Sequence, residues 1–235
     1  MSIQSTPISR DQIRVPLLRE QVSDLLRQAI VEMRLQPGQR LVERELIEWT
    51  GVSRSTIREA LRQLTAEGLV KTIPQRGAVV ADLSVSEATE LYEIRALLEG
   101  LAGRQFVERA SEKQHLLLRE AFGQIDEVAK ASGDIWALLQ AKGRFYDILF
   151  QGAANDTIRE VLEGLQARIT VLRATSLSQH GRVDATMLEL QAILDAVNAH
   201  DANAAERSCA AHVRAAGNCA LIALSQAMTT NLEAT

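Results

Sequence analysis

The sequence predicts a mainly α-helical protein in two parts: a short N-terminal part of three helices and a β-hairpin, and a longer part made only of helices. Aromatic residues are 3% of the 235 residues, so the core must consist mostly of Leu, Ile, Val and Ala, which favours helices over sheets. Apolar residues recur at helical spacing over most of the chain, and an extended pattern replaces that spacing near residues 69–81. A chain of this length fits two modest domains better than one.

The N-terminal part alternates helices with residues that end them. The predicted elements are a helix from Leu17 to Met33, a second from Glu43 to Trp49, a third from Arg54 to Ala66, and strands over Leu69–Ile73 and Ala78–Ala81. Pro37 and Gly38 end the first helix, while Ser53 caps the third and Gly68 stops it in a left-handed conformation. The turn between the strands, Pro74–Gly77, gives the hairpin a basic tip.

The C-terminal part is helical almost throughout, from Ser86 to about Met228. About six helices are expected, with breaks near residues 110–111, 132–134, 153–156, 179–181 and 200–201. The predicted division is a flexible arm (1–15), an N-terminal domain (16–82), an all-helical antiparallel bundle domain (83–230) and a tail (231–235). Asp82-Leu83-Ser84 is the expected linker between the two domains.

Composition and charge exclude several classes of protein. The chain has 46% apolar and 24% charged residues, as globular proteins do and disordered or fibrous chains do not. A net charge of −4 argues mildly against a nucleic-acid coat protein, but residues 1–83 carry 12 basic against 10 acidic residues and form the positive part. Two cysteines without metal-ligand spacing, Cys209 and Cys219, indicate a reduced, cytoplasmic chain. No signal peptide and no run of 18 apolar residues is present, so no membrane partner is expected.

Helices joined by a Gly-containing turn and followed by a basic hairpin form the plan of a winged helix-turn-helix domain, which reads duplex DNA. Three arginines lie at i, i+4 and i+8 on one face of the third helix: Arg54, Arg58 and Arg62. A helix N-terminus attracts phosphate, and Arg can donate two hydrogen bonds to guanine. The alternative is a solvated face whose arginines pair with nearby acids, namely Glu43, Glu45 or Glu59.

The stretch from Leu17 to Val80, containing PGQRLVERELIEWTGVSRSTIREALRQLTAEGLVKTIPQRGAVV, resembles the DNA-binding domain of the GntR family of bacterial transcriptional regulators. The shared motifs are Pro-Gly, Glu-x-x-Leu, Gly-Val-Ser-Arg, Arg-Glu-Ala-Leu, Glu-Gly-Leu-Val and Arg-Gly, in that order. The resemblance implies DNA contacts by Arg44, Ser53, Arg54, Thr56, Arg58, Arg76 and Gly77. Gly77 would let the hairpin backbone approach the minor groove without a Cβ in the way.

The segment from Ser86 resembles the effector domain of the FadR subgroup of that family, in its FCD form. The similarity lies in LYEIRALLEGLAGR and in LELQAILDAVNAHDANAAERSCAAHV. It implies a helical domain that dimerises and binds a small organic or sugar acid. The two resemblances together cover about residues 17–228.

Most members of this form hold a divalent metal with an Asp-x-x-x-His pair and two later histidines. The corresponding positions here are Lys142, Tyr146, Leu190 and His212. Because His212 alone is a ligand of the expected kind, we expect the metal site to be lost and no cofactor to be bound.

Lys142 is therefore a candidate to supply the positive charge for a carboxylate effector, with Arg95, Tyr146 and His212 donating hydrogen bonds. The alternative is a pocket that has filled with core side chains, with Lys142 extending to solvent.

The sequence thus predicts a metabolite-responsive transcriptional repressor that binds double-stranded operator DNA as a homodimer. An enzyme is not expected, because the candidate carboxylates are scattered and lack a partner: Asp147, Glu189, Asp195 and Asp201. The remaining histidines are expected at helix surfaces or turns: His115, His180 and His200. An architectural DNA-binding regulator with a degenerated effector pocket is the alternative.

Overall fold

The structure is a computed structural model that describes residues 18–32, 34–131 and 134–233, without the side chains of 227–233. The predicted arm and the end of the predicted tail lie outside the described residues. Within them the chain forms nine helices and two strands, which confirms the mainly α fold class. The helices are α1 (Leu18–Val31), α2 (Glu43–Thr50), α3 (Arg54–Ala66), α4 (Val85–Arg109), α5 (Glu112–Ala131), α6 (Ile135–Ala153), α7 (Asp156–Leu177), α8 (Arg182–Asn198) and α9 (Ala202–Glu233), and the strands are β1 (Val70–Ile73) and β2 (Gly77–Val80).

The elements form two compact units, one holding α1–α3 with both strands and one holding α4–α9. In the first unit, apolar faces of the three helices and the hairpin close a small core whose fully buried members include Leu26, Ala29, Ile57, Leu64 and Val79. Arg27 of α1 forms an ion pair with Glu67 at 2.9 Å, just beyond the end of α3. Gly68 then adopts a φ of +77°, which glycine reaches without steric cost and which ends the helix as predicted.

The wing is an antiparallel hairpin in which Val70 lies opposite Val80 and Ile73 opposite Gly77. Residues 38–41 also pair with β2, through hydrogen bonds and an isolated bridge between Arg40 and Val79, and this pairing was not predicted. Gly38 N–H donates to the Val80 carbonyl at 3.0 Å, and Leu41 N–H donates to the Ala78 carbonyl at 2.8 Å. The segment carries no alternating apolar pattern from which a strand could be predicted.

Helix α4 begins with a capping box. The Ser84 hydroxyl accepts a hydrogen bond from the Glu87 backbone N–H, and the Glu87 carboxylate accepts one from the Ser84 N–H. The helix then packs against α9 through small residues. A Cβ placed on Gly103 would stand 2.5 Å from Cys209 Sγ, and one on Gly100 would stand 3.3 Å from the Ala210 Cβ. The absent side chains let the two long helices approach closely.

The six helices of the second unit, with breaks where they were predicted, surround a core that includes Phe106, Leu118, Phe145, Leu149 and Val197. None of the helices in the described part of the chain combines the length and apolar character that crossing a bilayer requires.

The prediction that His115 lies at the surface is wrong. Its side chain is buried, with ring centroids 5.1 Å from Phe106 and 5.4 Å from His200. His115 lies three residues before the buried Leu118, so it belongs to the inward stripe of α5.

Candidate DNA-binding surface and buried cationic cluster

Short hydroxyl side chains fix the N-terminus of α3. Ser53 has extended backbone, and its Oγ accepts a hydrogen bond from the Thr56 backbone N–H at 3.3 Å. Its Oγ also lies 2.8 Å from Ser55 Oγ and 2.9 Å from Thr56 Oγ1. The cap holds the helix start in place and leaves Ser53 and Ser55 exposed at its tip.

Two arginines follow on the exposed face of α3 and share one carboxylate. Arg58 Nε donates to Glu43 Oε1 at 2.8 Å, while Arg54 Nε lies 3.7 Å from Glu43 Oε2. The hydrogen bond from Arg58 lowers the pKa of Glu43 below its ordinary value and raises the pKa of Arg58. Pairing with a nearby acid was the alternative for this stripe, and Arg54 and Arg58 do pair with Glu43.

The other predicted DNA-contact residues lie at the start of α2 and at the wing tip. Arg44 is exposed, with Nε 3.7 Å from Glu48 Oε1. Arg76 and Gly77 are exposed where the hairpin turns, and Gly77 has a φ of +80°. Gln75 also has a positive φ, at +65°, so the tip has a backbone conformation that residues other than glycine seldom adopt. The predicted DNA-contact residues all lie in the first unit and, apart from half-buried Thr56, are exposed.

The second unit contains a buried cationic cluster, which we define as Arg95, Lys142, Arg173, Arg182 and His212 with the carboxylates Glu99 and Glu189. Each of its five basic side chains is buried, and Arg95 is only 1% exposed. Charged side chains are almost never fully buried unless they are paired. Four Arg and Lys side chains against two carboxylates leave an excess of basic groups inside the helical unit.

One half of the cluster is centred on Glu99. Arg95 Nε donates to Glu99 Oε1 at 2.8 Å, and Arg173 Nη2 lies 3.8 Å from the same oxygen. The Arg173 guanidinium also stacks 4.0 Å from the ring centroid of Tyr146. Burial opposes the charge on Glu99, but the two arginines outweigh it and keep the pKa of this carboxyl below its ordinary value.

The other half is a chain of hydrogen bonds across α6, α9 and α8. Lys142 Nζ lies 3.5 Å from His212 Nε2, and His212 Nδ1 lies 2.5 Å from Glu189 Oε2. Arg182 donates to both oxygens of Glu189 at 2.7 Å and from Nε to Ser176 Oγ at 3.2 Å. The prediction that Glu189 is a carboxylate without a basic partner is therefore wrong, because α8 and α9 bring Arg182 and His212 to it.

Burial and mutual repulsion control protonation in this chain of groups. Burial, followed by repulsion from Arg173 and Arg182, lowers the pKa of Lys142 well below its ordinary value. Burial, with repulsion from Lys142, lowers the pKa of His212 to about 4 despite the opposing effect of Glu189. Burial raises the pKa of Glu189, but hydrogen bonds from His212 and Arg182 outweigh it and lower that pKa to about 2.

Several polar atoms of this region are buried and have no hydrogen-bond partner among the described residues. They are Arg95 Nη1, Glu99 Oε2, Tyr146 Oη, Arg173 Nε and Thr186 Oγ1. Thr186 lies on α8 one turn after Arg182 and three residues before Glu189, so it shares their face of the helix. Buried polar groups are almost always satisfied in folded proteins. These groups therefore need partners that the described side chains do not supply, such as water or a ligand.

The structure brings together the four residues predicted to bind an effector: Arg95, Lys142, Tyr146 and His212. All four are buried, and Lys142 is 3% exposed, so its ammonium group does not extend to solvent. Sequence analysis missed Arg173 and Arg182. For Arg173 the available signal was its position on the inward stripe of α7, where Ile169, Leu172 and Ser176 are its buried neighbours.

The residues at the family's metal position do not fit a metal ion. Lys142, which is not among the usual metal-binding residue types, lies beside the imidazole of His212. The phenol of Tyr146 has a raised pKa because it is buried, and Leu190 is an apolar core residue. Within the described ranges, no group of three or more His, Cys, Asp or Glu side chains is placed to hold a metal.

A winged helix-turn-helix unit followed by an all-helical unit defines a class of bacterial DNA-binding regulators. Residues 18–80 match the model of the bacterial regulatory proteins of the gntR family, and residues 90–215 match the model of the FCD domain. The chain therefore belongs to the GntR family of transcriptional regulators, in the group that carries an FCD domain.

Named relatives and a solved structure are similar over most of the chain. A probable D-xylose utilization operon transcriptional repressor of Paenarthrobacter nicotinovorans is 30% identical, over 83% of this chain and 85% of the relative. The galactonate operon transcriptional repressor of Escherichia coli K12 is 26% identical, over 76% and 86%. The structure of E. coli McbR/YncC superposes with a TM-score of 0.69 at 21% identity, over 84% of this chain and 93% of that one, and shows a shared fold.

Proposed function

We propose that this DNA-binding regulator is a repressor that leaves its operator when a small organic or sugar acid binds the buried cationic cluster. The observation that carries the proposal is the excess of buried basic groups, with donors on Arg95, Arg173 and Tyr146 that have no described partner. A carboxylate would supply acceptors to these donors, and charge-assisted hydrogen bonds are the strong ones inside a protein. The name of the galactonate operon repressor is consistent with an acid of this class.

The proposed operator contacts are those implied by the family resemblance. Ser53 and Thr56 place the N-terminus of α3 toward a phosphate, and Arg54 and Arg58 reach base edges or phosphates from its exposed face. Arg44 adds a contact from α2. Arg76 and Gly77 form the tip of the wing that meets the minor groove, and their exposure leaves them accessible to DNA.

We further propose that the protein acts as a homodimer, since a two-fold operator requires two copies of the reading domain. An exposed apolar stripe on α4 supports this proposal. Ile94, Leu97 and Leu101 lie at i, i+3 and i+7 on α4 and are exposed, Leu97 by 69%. Val161 on the neighbouring helix α7 is exposed as well.

The protein would act in the cytoplasm, where bacterial operators lie, and its role would be regulatory rather than catalytic.

The test starts from the full-length protein and a pool of random duplexes, from which the bound sequences are selected. The selected duplex is then titrated by fluorescence anisotropy in the presence of D-galactonate, D-gluconate, citrate or succinate. We expect at least one acid to release the duplex and to raise the melting temperature, whereas the neutral control galactitol does neither. Failure to select any duplex would contradict operator binding. Duplex binding without a response to any acid would favour the architectural regulator with a degenerated pocket.

A further inference from the structure

Glu43, the first residue of α2, contacts two arginines of α3 that lie one helical turn apart. Arg58 Nε donates to one carboxylate oxygen at 2.8 Å, and Arg54 Nε lies 3.7 Å from the other. Among the described residues, neither arginine makes an ion pair with a second acid. One carboxylate therefore forms a hydrogen bond with Arg58 and an ion pair with Arg54, the two basic groups that would enter the groove.

The negative charge of Glu43 weakens the attraction between this surface and the DNA phosphates. Affinity for the duplex backbone comes from neutralising phosphates, and an ionised carboxylate beside the proposed interface opposes it. Fold stability is a weak explanation, because Arg54 and Arg58 are more than half exposed and exposed ion pairs contribute about 0–1 kcal/mol. A role in orienting the arginines accounts for its presence.

The geometry of the Arg58 contact leaves the reading end of the side chain available. The bond uses the Nε–H, and no described hydrogen bond uses either Nη group. The outer N–H groups of the guanidinium fork are well placed to donate two bonds to guanine O6 and N7. Holding a long side chain in one orientation before binding removes part of the entropy cost that binding otherwise carries.

We propose that Glu43 is a positioning residue for DNA recognition, which holds Arg54 and Arg58 for base reading and provides sequence discrimination at some loss of phosphate attraction. This role rests on the proposed operator binding. The proposed role is to raise the ratio between the affinity for the operator and the affinity for other DNA. It does not predict tighter binding to DNA in general.

The experiment measures full-length variants against the duplex selected by the wild type and against a shuffled duplex of the same composition, at two salt concentrations. Glu43→Ala is expected to lower the ratio of the two affinities about three- to tenfold. The loss falls on the selected duplex, while binding of the shuffled duplex is unchanged or tighter. Glu43→Gln keeps an acceptor oxygen for Arg58 without the charge, so its ratio is expected to lie between those of the wild type and Glu43→Ala.

Glu45→Ala is the matched control. It removes the same charge from the same exposed helix, and Glu45 contacts neither arginine in the described ion pairs. Its ratio should equal that of the wild type. A wild-type ratio in Glu43→Ala, or an equal loss on both duplexes, would overturn the role of Glu43 while operator binding stands. A wild type that selects no duplex would overturn both.

Discussion

A buried lysine is costly for the folded state unless something offsets its charge. Lys142 is surrounded by Arg95, Arg173, Arg182 and His212, and its nearest described partner is an imidazole at 3.5 Å. Replacing buried ion pairs with apolar side chains of similar volume is often neutral or stabilises a protein by about 1–4 kcal/mol, whereas removing one partner leaves the other unpaired. None of the described ion pairs gives Lys142 a carboxylate partner, so its removal leaves no carboxylate unpaired.

We therefore expect Lys142→Met to raise the free energy of unfolding by about 1–3 kcal/mol in the absence of ligand. The same change should abolish release of the duplex by the acid, because the ammonium group is gone. Urea unfolding and anisotropy measure the two effects. Lys130→Met is the control, since Lys130 is 74% exposed on α5 and its replacement should change stability by less than about 0.5 kcal/mol. A destabilised Lys142→Met protein that still responds to acid would contradict this expectation.

His212 makes stability depend on pH. The pKa of His212 is about 4 in the folded protein, against an ordinary value of 6.5, so below pH 6.5 the unfolded chain takes up a proton that the folded chain does not. Stability is therefore expected to fall as pH falls from 6.5 to 4, by about 1.4 kcal/mol per unit of pKa difference at most. Below pH 4.5, protonation of Glu189, whose folded pKa is about 2, removes a further contribution.

The measurement is urea unfolding of the wild type and of His212→Gln at intervals between pH 4 and 7. The difference between the two curves isolates His212 from His115, whose burial also lowers its pKa. We expect the wild type to lose more stability than the variant as the pH falls. Parallel curves would show that His212 does not titrate in this way.

The donor set at the family's metal position predicts the result of calorimetry. After dialysis against chelator, Zn²⁺, Ni²⁺ or Mn²⁺ is expected to give no stoichiometric binding, because Lys142 and Leu190 supply no ligand beside His212. One tightly bound ion per chain, lost in His212→Gln, would contradict the expectation.

At the scale of elements, the close packing of α4 against α9 depends on glycines in α4. A helix does not require glycine at these positions, so the reason for them is the packing. Gly103→Ala is expected to destabilise the protein by about 1–3 kcal/mol, because the new methyl group meets Cys209 Sγ and the Ala205 carbonyl. Gly123→Ala, at a helical site of α5 with nothing within 4 Å, should stabilise it by about 0.5–1 kcal/mol. Thermal melting of the two variants tests the pair, and equal shifts would refute the close-packing argument.

Helices whose ends are marked by a capping residue or a glycine could be predicted closely from the sequence. Both ends of α3 follow from Ser53 and Gly68, because a cap and a left-handed stop act within one turn. Features set by distant partners could not. The pairing of residues 38–41 with β2 depends on which element packs opposite, and no local pattern specifies that. The apolar stripe of α7 indicates an inward Arg173, but its partners Glu99 and Tyr146 lie on other helices.

At the scale of the whole molecule, the apolar stripe of α4 predicts the oligomeric state. Leu97→Glu places a charge at its most exposed position and is expected to shift a dimer toward monomer and to weaken binding of the selected duplex. Leu188→Glu is the control, since Leu188 is 75% exposed and lies on α8, a different helix from the one that carries the stripe. Sedimentation velocity of the folded variants decides the matter. A wild-type dimer that persists in Leu97→Glu would exclude this surface as the interface.

Whole-chain averages were the least reliable guide to function. The net charge of −4 argued against DNA, yet the chain belongs to a family of DNA-binding regulators. The average combines a slightly basic N-terminal part with an acidic remainder. The proposed DNA contacts include only a few arginines on one helix, and an average over 235 residues does not register them.

The buried cationic cluster also bears on how long each copy of the protein survives in the cell. A ligand that binds only the folded chain adds stability by mass action, about 2.7 kcal/mol at a hundredfold excess over its Kd. Proteases act on the unfolded fraction, which shrinks as stability rises. With the proposed acid scarce, the chain would be turned over faster, and its abundance would follow the supply of that acid. The metabolite would then control the number of regulator molecules as well as their occupancy of DNA.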